Sequence, residues 1–214
     1  MLSSYKKIIG KDNSDIVRLE KEYGEIKNLN KENLSWNEKL SLVYSLIENC
    51  KKYGTTQFSR LARMAFIGNS ILKSMCEKGI ISTAEMDAFM NSVTTVATEM
   101  SEDFIKLNTK DISLDEFISK YGHLRAGTYD INKLPYNKNK SVILTDSGNG
   151  NGFASNEMVL EKYSFADVIE RISASCKEYN LISDGKQLLA FIRKCIELRE
   201  YYKFIYTKNI CLAI

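Results

Sequence analysis

Ser82-Thr-Ala-Glu-Met-Asp-Ala-Phe-Met-Asn-Ser-Val93 decides the fold. A serine followed three residues later by glutamate is a capping box. The hydroxyl satisfies an orphan N–H of the first helical turn, and the carboxylate reaches back to the N–H of the serine. Behind this start, Met86, Phe89, Met90 and Val93 recur at helical spacing, and Ala97, Met100 and Phe104 extend the stripe. The same box stands at Ser35–Glu38 and Ser113–Glu116, with looser versions at Ser164–Asp167 and Asp184–Gln187. Gly54, Gly79 and Gly122 fall where helices should finish, each able to supply a left-handed closing residue.

Working outward, Trp36, Leu40, Val43, Tyr44 and Ile47 form another stripe, expected to face a core. Phe58–Met75 is apolar on most of its circumference (Leu61, Ala62, Ala65, Phe66, Ile67, Ile71, Leu72), as suits a central helix surrounded by others. Helical patterns over Tyr163–Tyr179 and Asp184–Lys208 follow; in the second, Leu188, Ile192, Cys195, Ile196 and Tyr202 mark the buried side. Pro135 is the one proline, which favours long helices over the punctuated turns of sandwiches and barrels. The expected fold is all-α: a multi-helix bundle with one long irregular connector. We divide the chain into an N-terminal bundle (1–121), a connector (122–155) and a C-terminal helical hairpin (156–214) packing back on the bundle as one compact domain. Within the connector, Ser141–Thr145 (SVILT) reads as a short strand, and Asp146–Gly152 (DSGNGNG) as a turn-rich run. A connection of this length is long for a helical domain, and long ordered loops carry function more often than short ones.

Composition removes several function classes. Thirty basic and 27 acidic residues give a net charge of +3, spread without a basic block interleaved with aromatics, which argues against nucleic-acid binding. The five cysteines (Cys50, Cys76, Cys176, Cys195, Cys211) are odd in number and widely spaced, with no CxxC and no Cys/His cluster. That pattern speaks against a metal site and a disulfide framework, and for reduced thiols in a cytoplasmic protein. No apolar run has the length of a membrane span, and the first residues lack a signal-peptide core.

The residues that point to chemistry are Tyr121–Ile131, YGHLRAGTYDI, which hold the chain's one histidine. His123 suits a general base, a donor to phosphate, a covalent phosphate carrier, or a ring that pins the loop through backbone hydrogen bonds. Arg125, followed by Gly127 and Thr128, suits a phosphate or carboxylate, or else an internal pair with Asp130. Tyr129 suits stacking on a flat substrate or wedging between helices. Arg60 and Arg63 lie one turn apart on the apolar Phe58–Met75 helix. Burial of Arg63 would require a carboxylate such as Asp130 or Glu200, or an anionic ligand, and Arg199 raises the same question. Gly148, Gly150 and Gly152 have neither the dinucleotide fingerprint nor a P-loop lysine. No GxSxG, HExxH or paired-cysteine motif is present.

Tyr121–Ile131 resembles the Tyr-Gly-His-Leu-Arg-Pro-Gly-Thr-Tyr-Asp-Ile stretch of phosphoenolpyruvate synthase-like enzymes, relatives of pyruvate phosphate dikinase and rifamycin phosphotransferase. Tyr53–Leu72 resembles the helix that precedes this motif, and Arg199–Leu212 (REYYKFIYTKNICL) the segment that follows it. Ala126 stands where the family pattern has proline, which leaves the loop around Arg125 freer. In such enzymes an ATP-grasp domain phosphorylates a histidine on a separate swivelling domain, which carries the phosphoryl group to an acceptor. The resemblance implies an acceptor-binding and linker module, excised from a longer dikinase-type phosphotransferase and without turnover alone. Its substrate-binding residues would be His123, Arg125, Thr128, Tyr129 and Asp130, with Arg63 behind them. No catalytic residue and no metal or cofactor is expected within the segment; ATP and Mg would sit on the ATP-grasp domain. The partners implied are that domain, the phosphohistidine domain and a small-molecule acceptor. Two further readings remain: a non-catalytic structural or protein-interaction module, and a self-contained enzyme with His123 as base.

Overall fold

The structure, a computed structural model, describes residues 2–125, 132–141, 143, 165–180 and 184–213, with the side chains of the first helix described from Ile9 onward. It is all-α. The helices are α1 (Leu2–Lys27), α2 (Trp36–Cys50), α3 (Thr56–Glu77), α4 (Thr83–Asn91), α5 (Val96–Thr109), α6 (Leu114–Tyr121), α7 (Phe165–Glu178) and α8 (Gly185–Ala213). Among the described residues none is long and apolar enough to cross a membrane. Ser141 and Ile143 are helical where Ser141–Thr145 is expected to form a short strand; the rest of that stretch lies outside the described residues, as does Ser164.

The three capping boxes form as read. Ser35, Ser82 and Ser113 each accept from the N–H of the glutamate three residues on, and each glutamate accepts from its serine's N–H. Asp184 caps α8, its carboxylate accepting from Gln187 N at 2.7 Å. The glycines behave less uniformly. Gly79, at φ +67°, closes α3 in the left-handed region. Gly122 ends α6 in right-handed backbone, φ −60°. Gly54 ends nothing: a π-helical turn over Lys51–Thr55 joins α2 to α3. Its value is the missing Cβ, which would sit 2.6 Å from Tyr206 Cδ2 and 3.2 Å from Leu19 Cδ1.

Contacts divide the chain into two compact units, each drawn from separated stretches. The first comprises Met1–Ser59, Ala97–Gly152 and Tyr201–Ile214; the second comprises Arg60–Val96 and Phe153–Glu200. In the first unit Ile16, Leu19, Leu46, Phe117, Tyr121, Tyr202 and Ile205 are fully buried. An aromatic chain runs from Phe104 through Phe117 and Tyr121 to Phe204, with ring centroids 5.4, 4.9 and 6.1 Å apart. Its one polar member is anchored: the Tyr121 hydroxyl donates to Asp103 at 2.9 Å, and Lys120 reaches the same oxygen at 2.8 Å. Burial pushes the Asp103 carboxyl up, but hydrogen bonds from Lys120, Tyr121 and Lys106 outweigh it and hold the group below its ordinary pKa.

The α2 stripe does not face a core. Trp36 is 78% exposed, Leu40 58%, Tyr44 68% and Ile47 40%, while Leu46 and Cys50 supply the buried side. Periodicity identified the helix correctly and its covered face incorrectly.

In the second unit α3 buries Leu61, Ala65 and Leu72, yet Phe66 and Ile67 stand in solvent, so this helix is not enclosed on all sides. The stripe expected to run through Met86–Phe104 is cut at Ser92–Thr95. Continuing the helix would need the Ser92 carbonyl for the N–H four residues on. The Arg193 guanidinium takes that carbonyl instead, at 2.5 Å, and the Ser92 hydroxyl oxygen at 2.7 Å. Arg171 joins α7 to α4. It donates to the Ile80 carbonyl, pairs with Glu85, and reaches Asp167 at 3.0 Å.

Glu85 therefore serves twice. Hydrogen bonding to Ser82, its capping partner, is the largest cause of its lowered pKa, and the Arg171 contact adds to it. Glu85→Ala removes a cap and one partner of a part-buried ion pair, and should cost about 2 kcal/mol in urea unfolding. Glu85→Gln, which keeps the reach back to Ser82, should lose roughly half of that. Equal losses for the two would show that the cap contributes nothing.

Candidate functional site

His123 follows α6 directly, and the chain after it is clasped rather than free. Gly122 accepts from Asn137 N and Leu124 from Tyr136 N, each at 2.9 Å, around an isolated antiparallel bridge between Arg125 and Pro135. Gly122 permits this approach, since a Cβ there would stand 3.1 Å from Asn137 Cβ and 2.8 Å from Ile118 Cγ2. The imidazole lies edge-on to Phe204 of α8, centroids 4.8 Å apart, and is 8% exposed. Its Nε2 is buried without a hydrogen-bond partner among the described residues.

A cavity of about 100 Å³ lies against this ring, lined by Tyr23, His123, Arg125, Pro135, Asn137, Lys138, Lys208, Cys211 and Leu212. That is about three waters' worth of liquid volume, on the scale of a phosphoryl group rather than a nucleotide. Among the described residues every charged lining residue is a cation, and no carboxylate lines the cavity. Arg125 is fixed by two bonds, Nε to the Lys133 carbonyl at 2.9 Å and Nη1 to Cys211 Sγ at 3.3 Å. Lys208 passes over the Tyr23 ring (4.6 Å) and the Phe204 ring (5.6 Å).

The electrostatics follow from burial and like charge. Burial, then Lys208, then Arg125 disfavour a second proton on His123, whose pKa falls to about 3. Burial also lowers the Lys208 pKa, with Lys27 and Lys120 adding to it against an opposing Glu20. The Tyr23 hydroxyl is pushed up, first by burial and then by Cys211. At neutral pH the imidazole is therefore uncharged. It can offer one N–H and one lone pair, but it is far too acidic when protonated to act as a general base. An anion entering the cavity would relieve the repulsion that Arg125 and Lys208 impose.

Of the residues singled out in the sequence, His123 and Arg125 meet at this cavity. Thr128, Tyr129 and Asp130 lie outside the described residues, so the proposed Arg125–Asp130 pair has no geometry here. Arg63 belongs to the second unit and its side chain is exposed, so it incurs none of the desolvation that burial on α3 would have imposed. Glu200 is paired with its neighbour Arg199, whose Nε and Nη2 reach one carboxylate oxygen at 2.9 and 2.6 Å. Sequence reasoning missed Tyr23, Asn137, Lys138, Lys208 and Cys211. The one available signal lay in Lys208, Cys211 and Leu212, which share a helical face at i, i+3, i+4 spacing. Three of the five thiols, Cys50, Cys176 and Cys195, are buried, while Cys76 and Cys211 are part-exposed. Among the described residues no three His, Cys, Asp or Glu side chains gather as metal ligands. No protein-family model, curated protein or solved structure matches this chain.

Proposed function

We propose that this chain is the acceptor-binding helical part of a phosphoenolpyruvate synthase-like, ATP-dependent phosphotransferase of the dikinase type. The His123 cavity would receive the anionic end of the acceptor, or the phosphoryl group delivered to it. One observation carries the reading: an imidazole nitrogen, buried and without a partner among the described residues, borders a phosphoryl-sized cavity whose described charges are all positive. Burying a polar atom unpaired costs about 1–3 kcal/mol, a cost that a ligand oxygen would remove. The resemblance of Tyr121–Ile131 to the family motif supplies the reaction class.

In this reading Arg125 offers a pre-positioned guanidinium, since the Lys133 carbonyl and Cys211 sulfur fix its fork before any ligand arrives. Lys208 contributes charge across the cavity, and neutral His123 donates through Nε2–H. Phosphoryl transfer needs this kind of electrostatic stabilisation more than covalent help from the protein. ATP, Mg and the carrier histidine would come from the partner domains, with no turnover in this chain alone. Thr128, Tyr129 and Asp130 enter through their place in the motif.

Pyrophosphate, used as a phosphoryl probe, should raise the melting temperature saturably, by the equivalent of about 2.7 kcal/mol at a hundredfold excess over its Kd. Arg125→Ala and Lys208→Gln should remove most of that shift. An equal shift in both variants would place binding elsewhere, and no shift in the native chain would reject the site.

The second reading, a structural or interaction module, draws on the edge-on packing of His123 against Phe204. It predicts that His123→Ala lowers the melting temperature and that pyrophosphate leaves it unmoved.

A further inference from the structure

The second unit holds a separate concavity that has no part in the reading above. Between α3 and α7 runs a groove of about 440 Å³, within the few-hundred to about 1,000 Å³ range of small-molecule sites. One wall is a face of α3. Phe66 and Ile67 lie toward its N-terminal end, 63% and 52% exposed, followed by Ile71 and Met75, with Lys78 at its far end. Tyr179, 50% exposed, stands opposite.

The distribution of chemistry along this groove is directional. From Phe66 to Lys78 the helix rises about 18 Å, passing from aromatic and aliphatic side chains to one cation. Among the described residues Lys78 is the single charged one in the lining. Its Nζ is 3.3 Å from the Tyr179 hydroxyl and 5.1 Å from the centre of that ring, and no described carboxylate pairs with it. The acidic neighbours Glu77 and Glu178 are not in the lining. The groove thus presents an apolar trough that ends in a positioned ammonium and a phenol, both able to donate to an anion.

We propose that this groove binds a single-chain amphiphile with a carboxylate head, the chain lying along Phe66, Ile67 and Ile71 and the head meeting Lys78 and the Tyr179 hydroxyl. Charge complementarity selects the head: the exposed Lys78 ammonium attracts an anionic head, gains nothing from a neutral one and repels a cationic one. The wall, mostly apolar with Ser70 and Ser74 interspersed, selects the chain. A short carboxylate would meet the cation without filling the trough.

The test uses the full 214-residue chain and dodecanoate, kept below its micelle threshold, in isothermal titration. Dodecyltrimethylammonium and butyrate serve as head and chain controls. Saturable dodecanoate binding is expected, at least about tenfold tighter than either control. Lys78→Met should weaken it by about tenfold or more, as the loss of a charge-assisted hydrogen bond implies. Ser74→Trp, at an exposed position in the lining, should block the trough. Should circular dichroism show Ser74→Trp unfolded, Lys78→Met and the head control decide alone. No saturable binding, equal affinity for both head groups, or dodecanoate affinity unchanged in Lys78→Met would each overturn the proposal. Pyrophosphate binding at His123 is untouched by any of these outcomes.

Discussion

His123→Phe should make the protein more resistant to acid while leaving its stability above pH 7.5 within about 1 kcal/mol of the native chain. The reason is the depressed pKa. An unfolded histidine takes its proton near pH 6.5, whereas the buried ring resists until about pH 3. As pH falls through 6.5 the unfolded state binds a proton that the folded state refuses, so stability is lost with falling pH across this window. At about 1.4 kcal/mol per pH unit, the loss at pH 4 is on the order of 3 kcal/mol. Phenylalanine fits edge-on to Phe204 much as the imidazole does and carries no proton. Asp103, whose lowered pKa also costs stability in acid, is common to both proteins and cancels in the difference. Urea unfolding at pH 8 and pH 4 checks this. Parallel losses in the two proteins would mean that the ring is solvated and the cavity open to bulk water.

The second large effect lies in the other unit. Ile192 is fully buried, and its Cγ2 would stand 3.1 Å from a Cβ placed on Gly68. Ile192→Ala should cost about 2–5 kcal/mol, through lost transfer free energy and the cavity left behind. Gly68→Ala alone sets a helix-propensity gain of about 1 kcal/mol against a contact tighter than side chains normally make. In the Ile192→Ala background that contact disappears and the added methyl fills part of the hole. The double mutant should therefore be more stable than the sum of the single effects by roughly 1 kcal/mol. Strict additivity would show that the two helices do not pack through this pair.

How far the sequence could be read depended on the range of each interaction. The boxes at Ser35, Ser82 and Ser113 were legible because donor and acceptor lie within one turn. Gly54 misled because its reason is Tyr206, a residue remote in sequence whose ring occupies the space of the missing Cβ. The break at Ser92 is set by Arg193, equally remote. The α2 stripe shows the same limit differently: spacing defines an apolar face, but only packing determines whether anything covers it. In the site, His123 and Arg125 stood out as uncommon residue types at the end of a helix. Lys138 and Lys208 did not, being two among 30 basic residues, most of which are ordinary solvated side chains. Tyr23 reaches the cavity from α1, a hundred positions before His123 in the sequence.

Because His123 is the one histidine in the chain, its imidazole gives a single, unambiguous pair of ring-nitrogen resonances. The most direct measurement is a long-range proton–nitrogen NMR titration of that ring with pyrophosphate at pH 7. A saturable shift of the Nε2 resonance is expected, abolished in Arg125→Ala and accompanied by a rise in the apparent pKa of the ring as the anion offsets Lys208 and Arg125. An imidazole whose resonances stay fixed while pyrophosphate is raised to tens of millimolar, well above any useful Kd, would contradict it.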